Sequence, residues 1–383
     1  MKPSPDFLER LALPFFCLVP IGTPFVPGGP RPDPDGGLFS AGPYYVAEWD
    51  NGEYVILRRN PNYHGPRPHP FDAIVIREGI DGSAALDQVQ NGHWDGITDL
   101  PDRVLEPGSL VDRRWGMGSA AAANGDQRYF LTPEFGTRFV AFNSSRGILT
   151  DPRVRKAAAM ALDRDALAAA WGDLPSDQIL PPALPGYRDR ELYPSGRSVA
   201  KARALMLGRT GHVVMPIPSG CDSCAEVAKV VQIDLAAIGI NVQIRKVDNL
   251  PDALKGGARF DLLDTETGIL YPDSVSFLEQ MLGDIPSSWI PAGVRAKIQH
   301  VATLSGDPRQ AAAAALADRL ATEELPVAAY GTPQTSQIVG PRVTSDARSS
   351  HRSDSASISR LCALNSRPPD ETGGTRWRSA DQA

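Results

Sequence analysis

Cys221 and Cys224 are the residues whose type and spacing come nearest to a reactive site. They lie in "VVMPIPSGCDSCAEVAKVVQIDLAAIGI", after an apolar run and before an amphipathic helical pattern. A strand therefore delivers a C-x-x-C pair to a helix N-terminus, the layout of a thioredoxin-type dithiol oxidoreductase. The inner residues, Asp222 and Ser223, weaken that reading, because a carboxylate beside a thiol opposes the thiolate. The same pair could close a local disulfide, which for so small a loop adds about 2 kcal/mol. It could also be two plain loop cysteines, or half of a zinc site lacking two further ligands. Cys17 and Cys362 lie far from it in sequence, and neither has C-x-x-C spacing.

Other chemistry is sparse. His64, His69, His93, His212, His300 and His351 never fall in H-x-x-x-H spacing and read as surface histidines, so no metal is expected. There is no G-x-S-x-G elbow and no phosphate-binding G-x-x-x-x-G-K sequence. "GMGSAAA" spells a dinucleotide fingerprint, but no strand precedes it and no acidic partner follows at the right distance. No cofactor is expected.

The elements that would position any site come from the whole chain of 383 residues, with 42% hydrophobic residues, four Cys, 35 Pro and 35 Gly. A net charge of −6 and no Lys/Arg block argue against nucleic acid as a partner. No apolar run reaches the roughly 18 residues a membrane span needs. The opening "MKPSPDFLERLALPFFCLVP" is interrupted by Asp6, Glu9 and Arg10 and then by Pro14 and Pro20, so it does not read as a secretory signal.

Residues 1–37 read as a Pro/Gly-rich connector. "YYVAEWDNGEYVILRR" predicts a hairpin turning at Asp50-Asn51-Gly52, followed by a strand in "FDAIVIREG", a helix in "DGSAALDQVQNG" and a strand in "WDGITDL". "RFVAFNSS" predicts a strand. Asp151 then caps a helix with Pro152 at its first position. From Ser198 the pattern alternates helix and strand through Phe260–Asp264, a βαβ series, and Ala311–Ala321 is a last helix. Residues 344–383 carry nine Ser and six Arg with few large aliphatics, a composition expected to be disordered.

Several of these pieces, in this order, resemble the bacterial extracellular solute-binding proteins of family 5, the peptide- and nickel-type receptors of ABC importers. "SAGPYYVAEWDNGEYVILRRNPNYHG" resembles the family's G-P-Y hairpin and R-N-P-x-Y turn. "ALDQVQNGHWDGITDLP" is similar to its helix-to-strand step. "FVAFNSSRGILTDPRVRKAAAMALDRDAL" follows its F-N-[TS]-S strand and D-x-R-V-R helix. "VVQIDLAAIGINVQIRKV" and "FDLLDTETGILYPDSVSFL" match later elements, the second a ligand-side loop. The likeness runs from about residue 5 to about 342.

The resemblance implies an α/β, type II periplasmic-binding-protein-like fold, two lobes with a hinge and the first lobe incomplete. It assigns 38–136 to a partial first lobe, 137–330 to a second α/β lobe, 331–343 to a return strand and 344–383 to the tail. Phe142, Asn143 and Ser144 would form the hinge. The implied function is that of a receptor, not an enzyme, which delivers a solute, by default a peptide, to ABC permease subunits in the membrane. Such a receptor would work as a monomer in the periplasm or on the outer face of the cell membrane. Aligned on "SFL", the family's amine-anchoring Asp falls on Leu270 and its Trp on Thr267. Tyr271 keeps an aromatic, and Asp273 either replaces the anchor or caps the next helix. Family members carry a signal sequence and further residues before "PDFL", so the expectation is a truncated reading frame with a frameshifted tail, a non-functional fragment being one form of it. The rival from another class is the thiol oxidoreductase using Cys221 and Cys224.

Overall fold

The computed structural model describes residues 40, 42–50, 52–98, 107–193, 197–255 and 259–343. The expected connector at 1–37 and tail at 344–383 lie outside the described residues. The chain divides into two compact units. The larger contains Leu131–Ser336. The smaller is built on the described parts of Val19–Val104, Leu110–Phe130 and Gln337–Ala383.

In the smaller unit, β1 (Tyr44–Asp50), β2 (Tyr54–Arg59) and β3 (Ala73–Arg77) form an antiparallel meander. The predicted turn is present, with Gly52 at φ +91°, which a side chain would strain. Helix α1 (Gly82–Gln90) is capped by Asp81, whose carboxylate accepts from Ala84 N at 3.0 Å, and Gly92 at φ +74° ends it. β4 (Gly96–Thr98) pairs antiparallel with β12 (Gln334–Val339). Two short helices, α2 (Leu110–Trp115) and α3 (Ala120–Ala123), occupy the poorly patterned stretch, and β5 (Tyr129–Pro133) follows them. "GMGSAAA" lies across their junction and follows a helix, so the strand a dinucleotide site requires is missing.

The larger unit is organised by β6 (Gly136–Phe142). With β10 (Leu262–Gly268), β11 (Val327–Thr332) and the two-residue β7 (Leu174–Pro175) it forms a sheet of order β10-β6-β11-β7. Strand alternation sends Val140 and Phe142 into one core, and Phe139 and Ala141 into another. That is why "FVAF" reads as an unbroken apolar run: both faces of the strand are covered. The first core is closed by α4 (Pro152–Ala161), α6 (Val199–Met206), the parallel pair β8 (Gly211–Pro218) and β9 (Ile240–Val247), and α7 (Asp222–Ala236) between them. The second is closed by α9 (Ser274–Gly283), α10 (Val294–Ala302) and α11 (Gly306–Arg319). Helices α5 (Arg164–Ala169) and α8 (Leu250–Lys255) complete the unit.

One expectation needs correcting. The strand near residue 260 does not extend the parallel series, because β10 runs antiparallel to β6, from Leu262 opposite Phe142 to Gly268 opposite Gly136. Phe142, Asn143 and Ser144, the expected hinge residues, lie within the larger unit's Leu131–Ser336. The three residues are pinned inside the larger unit. Phe142 is a core residue, Asn143 Nδ2 donates to Phe260 O at 2.9 Å, and Ser144 Oγ donates to Trp289 O at 2.5 Å.

The D-x-R-V-R motif also resolves into structure. Asp151 caps α4 by accepting from Arg153 N at 2.8 Å, and it pairs with Arg209. Arg155 is buried and donates to four carbonyl oxygens: Leu325 at 3.0 Å, Leu149 at 2.8 Å, Thr150 at 3.2 Å and Glu324 at 2.6 Å. It thereby satisfies the end of a π-turn (Leu320–Glu324) and of a 3-10 turn (Gly147–Thr150), both of which would otherwise leave acceptors unmet. Arg155→Met should destabilise the larger unit by about 2 kcal/mol or more. Urea unfolding should show this as a lowered midpoint with an unchanged slope.

Candidate functional site

The segment from β10 to α9 holds every residue assigned above to ligand contact, and the structure treats them unequally. Thr267, the penultimate residue of β10, is buried, and its Oγ1 donates to Asp284 Oδ2 at 2.5 Å. Asp273 is buried as the N-cap of α9: Oδ1 accepts from Ser276 N at 2.7 Å and from Arg309 Nη2 at 2.9 Å, while Oδ2 lies 3.2 Å from Arg309 Nε. Arg309 spends its remaining reach on Ala302 O at 3.0 Å. Both side chains are committed internally. Asp273 is a helix cap, a buried carboxylate matched by the buried guanidinium of Arg309.

Leu270 and Tyr271, which lie between them, are less enclosed. Leu270 is 70% exposed and Tyr271 is half-buried. The loop that carries them is stapled at both ends, by Ile269 N to Phe135 O at 3.0 Å and by Ser274 Oγ to Pro185 O. A fixed frame with an exposed apolar tip can offer shape and backbone groups to a small molecule. It offers no carboxylate at the tip.

A polar cluster next to this segment escaped the sequence reading. β10 alternates so that Asp264 and Glu266 share the face of Leu262, opposite Thr265 and Thr267. Arg138 on β6 stands directly across from Glu266, with Nη2 2.7 Å from Glu266 Oε2. Its Nε lies 2.8 Å from Asp173 Oδ2, but the N–H is not directed at the oxygen, leaving a charge contact without a hydrogen bond. The guanidinium lies 4.0 Å over the ring of Trp171. Tyr330 Oη donates to Asp264 Oδ1 at 2.7 Å. Burial pushes the Asp264 carboxyl up to about 7 and the Asp173 carboxyl up to about 6, and burial raises the Tyr330 phenol as well. Two acidic residues at i and i+2 in "DTETG", with one charged residue in "TRFVAF", were the available signal.

Cys221 and Cys224 are joined as a disulfide at the N-terminus of α7, where Cys221 Sγ also accepts from Cys224 N at 3.2 Å. Among the described residues no group of three or more His, Cys, Asp or Glu could hold a metal ion. Among them too, no helix is long and apolar enough to cross a membrane. A groove of about 480 Å³ between α10 and α11 is lined largely by Val301, Ala312 and Leu316. The cations at its rim, Lys297 and Arg319, already pair with Glu324 and Glu323.

Comparison with known proteins decides the family. The sequence model of the bacterial extracellular solute-binding proteins, family 5 Middle, matches residues 1–289. The chain belongs to this family. It is 27% identical over 223 residues to the probable di/tripeptide-binding protein 5 of Pseudomonas aeruginosa, covering 54% of this chain and 38% of that protein. The glutathione-binding protein GsiB of Shigella flexneri is 23% identical over 220 residues, 54% of this chain and 39% of that protein. The chain thus spans less than half the length of these curated relatives. The solved periplasmic murein tripeptide binding protein MppA, in its unliganded open form, superposes with a TM-score of 0.68 at 19% identity, covering 89% of this chain and 67% of that one. The fold is that of family 5 periplasmic binding proteins. Nothing in these matches supports the thiol oxidoreductase alternative.

Arg309→Met strands the Asp273 charge and should cost about 3–5 kcal/mol. Leu270→Asp changes an exposed side chain and should stay within about 0.5 kcal/mol. Equilibrium denaturation of the two variants checks the contrast: equal losses would mean that the loop tip is packed, not presented.

Proposed function

We propose that the chain is the solute-binding component of an ABC-type importer, with short peptides as its cargo and permease subunits in the membrane as its partners. It binds and does no chemistry on what it binds. Its place is outside the cytoplasm, as for its family, in the periplasm or on the outer face of the cell membrane. The observation that carries the reading is the family match over residues 1–289. The di/tripeptide-binding relatives are the reason for preferring peptides.

Within that reading, cargo contact in the β10–α9 loop comes from Leu270, Tyr271 and the loop backbone, with Thr267 and Asp273 as the frame beneath. An exposed leucine cannot neutralise an ammonium group, so the loop tip favours apolar or uncharged ligand surface over a peptide's amino terminus. The local disulfide suits an oxidising compartment and serves as a staple on the β8–α7 corner.

The test is a melting-temperature screen of the purified chain against di- and tripeptides, with free and N-acetylated amino termini, followed by calorimetry. A ligand at one hundred times its Kd should stabilise the protein by about 2.7 kcal/mol. N-acetylated peptides should bind at least as well as free ones to the wild type, and Leu270→Asp should shift preference toward free amines. A folded protein that no peptide stabilises and that co-purifies with no solute in native mass spectrometry would sink the proposal. Turnover of insulin disulfides that disappears in Cys221→Ser would bring the oxidoreductase reading back.

A further inference from the structure

Helices α4 and α6 lie side by side and run in opposite directions. At one end Asp151 pairs with Arg209, and at the other Ser198 N donates to Met160 O at 3.0 Å. Their inner faces are spent on the first core through Val154, Ala158, Ala202 and Met206. What remains outward is cationic. Arg153 and the half-buried Lys156 stand at i and i+3 on α4, Lys201 and Arg203 on α6, and Arg209 just beyond it. Arg153, Lys156 and Lys201 enter no ion pair among the described residues. Two acids of the neighbouring elements are already matched, Asp151 by Arg209 and Asp234 by Arg197. In a chain of net charge −6, this face carries a local surplus of positive charge.

Two exposed aliphatic side chains sit among these charges. Leu207, the residue that ends α6, is 65% exposed and has φ +52°. Left-handed backbone strains any residue that carries a side chain, and a helix end of this kind ordinarily takes glycine. A buried leucine could offset that strain by packing. This one stands in water, so the fold bears both the strain and an unburied apolar surface, the kind of outlier that points to a role outside folding. Ile233 on α7 is 50% exposed. Arg203 joins the two: it lies one turn before Leu207, and its Nε donates at 2.6 Å to Ala237 O, one turn after Ile233.

We propose that this face docks the larger unit onto an anionic lipid surface, with Leu207 and Ile233 as apolar anchors among Arg153, Lys156, Lys201, Arg203 and Arg209. A second copy of the chain is a poor occupant, because a symmetric contact would bring like charges together. The cations are long side chains on convex helix surfaces, which suits a fluid layer of headgroups better than the fixed shape of one protein. The two aliphatic residues enter the acyl boundary while the cations stay at the level of the phosphates. Each signal is weak alone, and together they give reversible attachment. The negative charge of the whole chain keeps it reversible, since the patch acts only within a screening length of about 8–10 Å. A receptor that hands cargo to permeases gains from this a search confined to the membrane plane.

Flotation of the full chain with lipid vesicles tests the docking. The protein should rise with vesicles of equimolar phosphatidylglycerol and phosphatidylcholine, stay behind with phosphatidylcholine alone, and be released by added salt. Lys201→Gln and Arg153→Gln, both at exposed positions, should each weaken the association roughly fivefold. Leu207→Gly is the diagnostic change, because it removes an anchor and relieves the backbone together. Vesicle binding should fall while the melting temperature holds or rises; a structural role for Leu207 would lower the melting temperature instead. A chain that does not float, that floats equally on both lipid mixtures, or that floats unaffected by the three substitutions would overturn the proposal. Retention on immobilised polyglutamate without flotation would give the face to an acidic protein partner, and a dimer lost in Lys201→Gln would give it to a second copy; either result overturns the lipid assignment. No cargo is needed, so the outcome is independent of the peptide reading.

Discussion

The rest of the larger unit depends on a strand that is covered on both sides. β6 has no solvent face: Phe139 and Ala141 close one core, Val140 and Phe142 the other, and β10 and β11 take its backbone groups on either edge. Each such fully buried large side chain contributes roughly 1.5–3 kcal/mol. A strand in that position fixes register absolutely, because a slip of one residue would exchange the two cores. It also fixes what stands beyond its apolar part. Arg138 and Thr137, one and two steps outside "FVAF", must point to opposite faces, so the charged cluster and the buried threonine row of the loop frame are separated by one strand's thickness.

The charged residues of the resembling motifs turn out to serve backbone groups more than solvent or solute. Arg155 ends two turns by reaching their carbonyl oxygens. Asp163 caps α5 by accepting from Ala166 N at 3.1 Å, while its own N–H is held at 2.7 Å by Asp234, which also meets Arg197 at 3.1 Å. Asp273 caps α9 with Arg309 behind it. In each case a charge is buried because a helix or turn end must be satisfied, and a second charge or several carbonyls compensate it. Charged residues placed like this make a family recognisable from sequence through the backbone ends they satisfy.

This explains which parts of the protein the sequence announced. The hairpin, the capped helix at Asp151, the β8–α7–β9 step and the helix after Asp273 follow from local rules of turn chemistry, capping and periodicity, and each is present. The direction of β10 did not follow. A short apolar strand after a βαβ unit reads the same whether it joins the parallel pair or crosses antiparallel to a strand more than a hundred residues earlier. Only the long-range ladder to β6 decides, and nothing within "FDLLDTET" reports it. The partners of the loop residues were hidden for a related reason: Thr267 and Asp273 lie on one segment, while Asp284 and Arg309, which they meet, come from farther along the chain.

The C-x-x-C pair shows how geometry can counterfeit chemistry. Any strand-to-helix corner brings its last loop residues to free backbone N–H groups, and a cysteine there has the surroundings of a redox thiol whatever its role. At the α7 N-terminus Cys221 does the ordinary work of an N-cap, accepting from Cys224 N, and the bond to Cys224 closes the same turn covalently. Cap and disulfide therefore constrain one set of atoms. What distinguishes the loop is that its ends are tied by the Asp284 and Arg309 side chains and the Pro185 carbonyl, while Leu270 at its tip is 70% exposed. A rigid frame under an exposed tip lets the residue at Leu270 change without disturbing the fold, which is the property a family needs if its members are to bind different solutes.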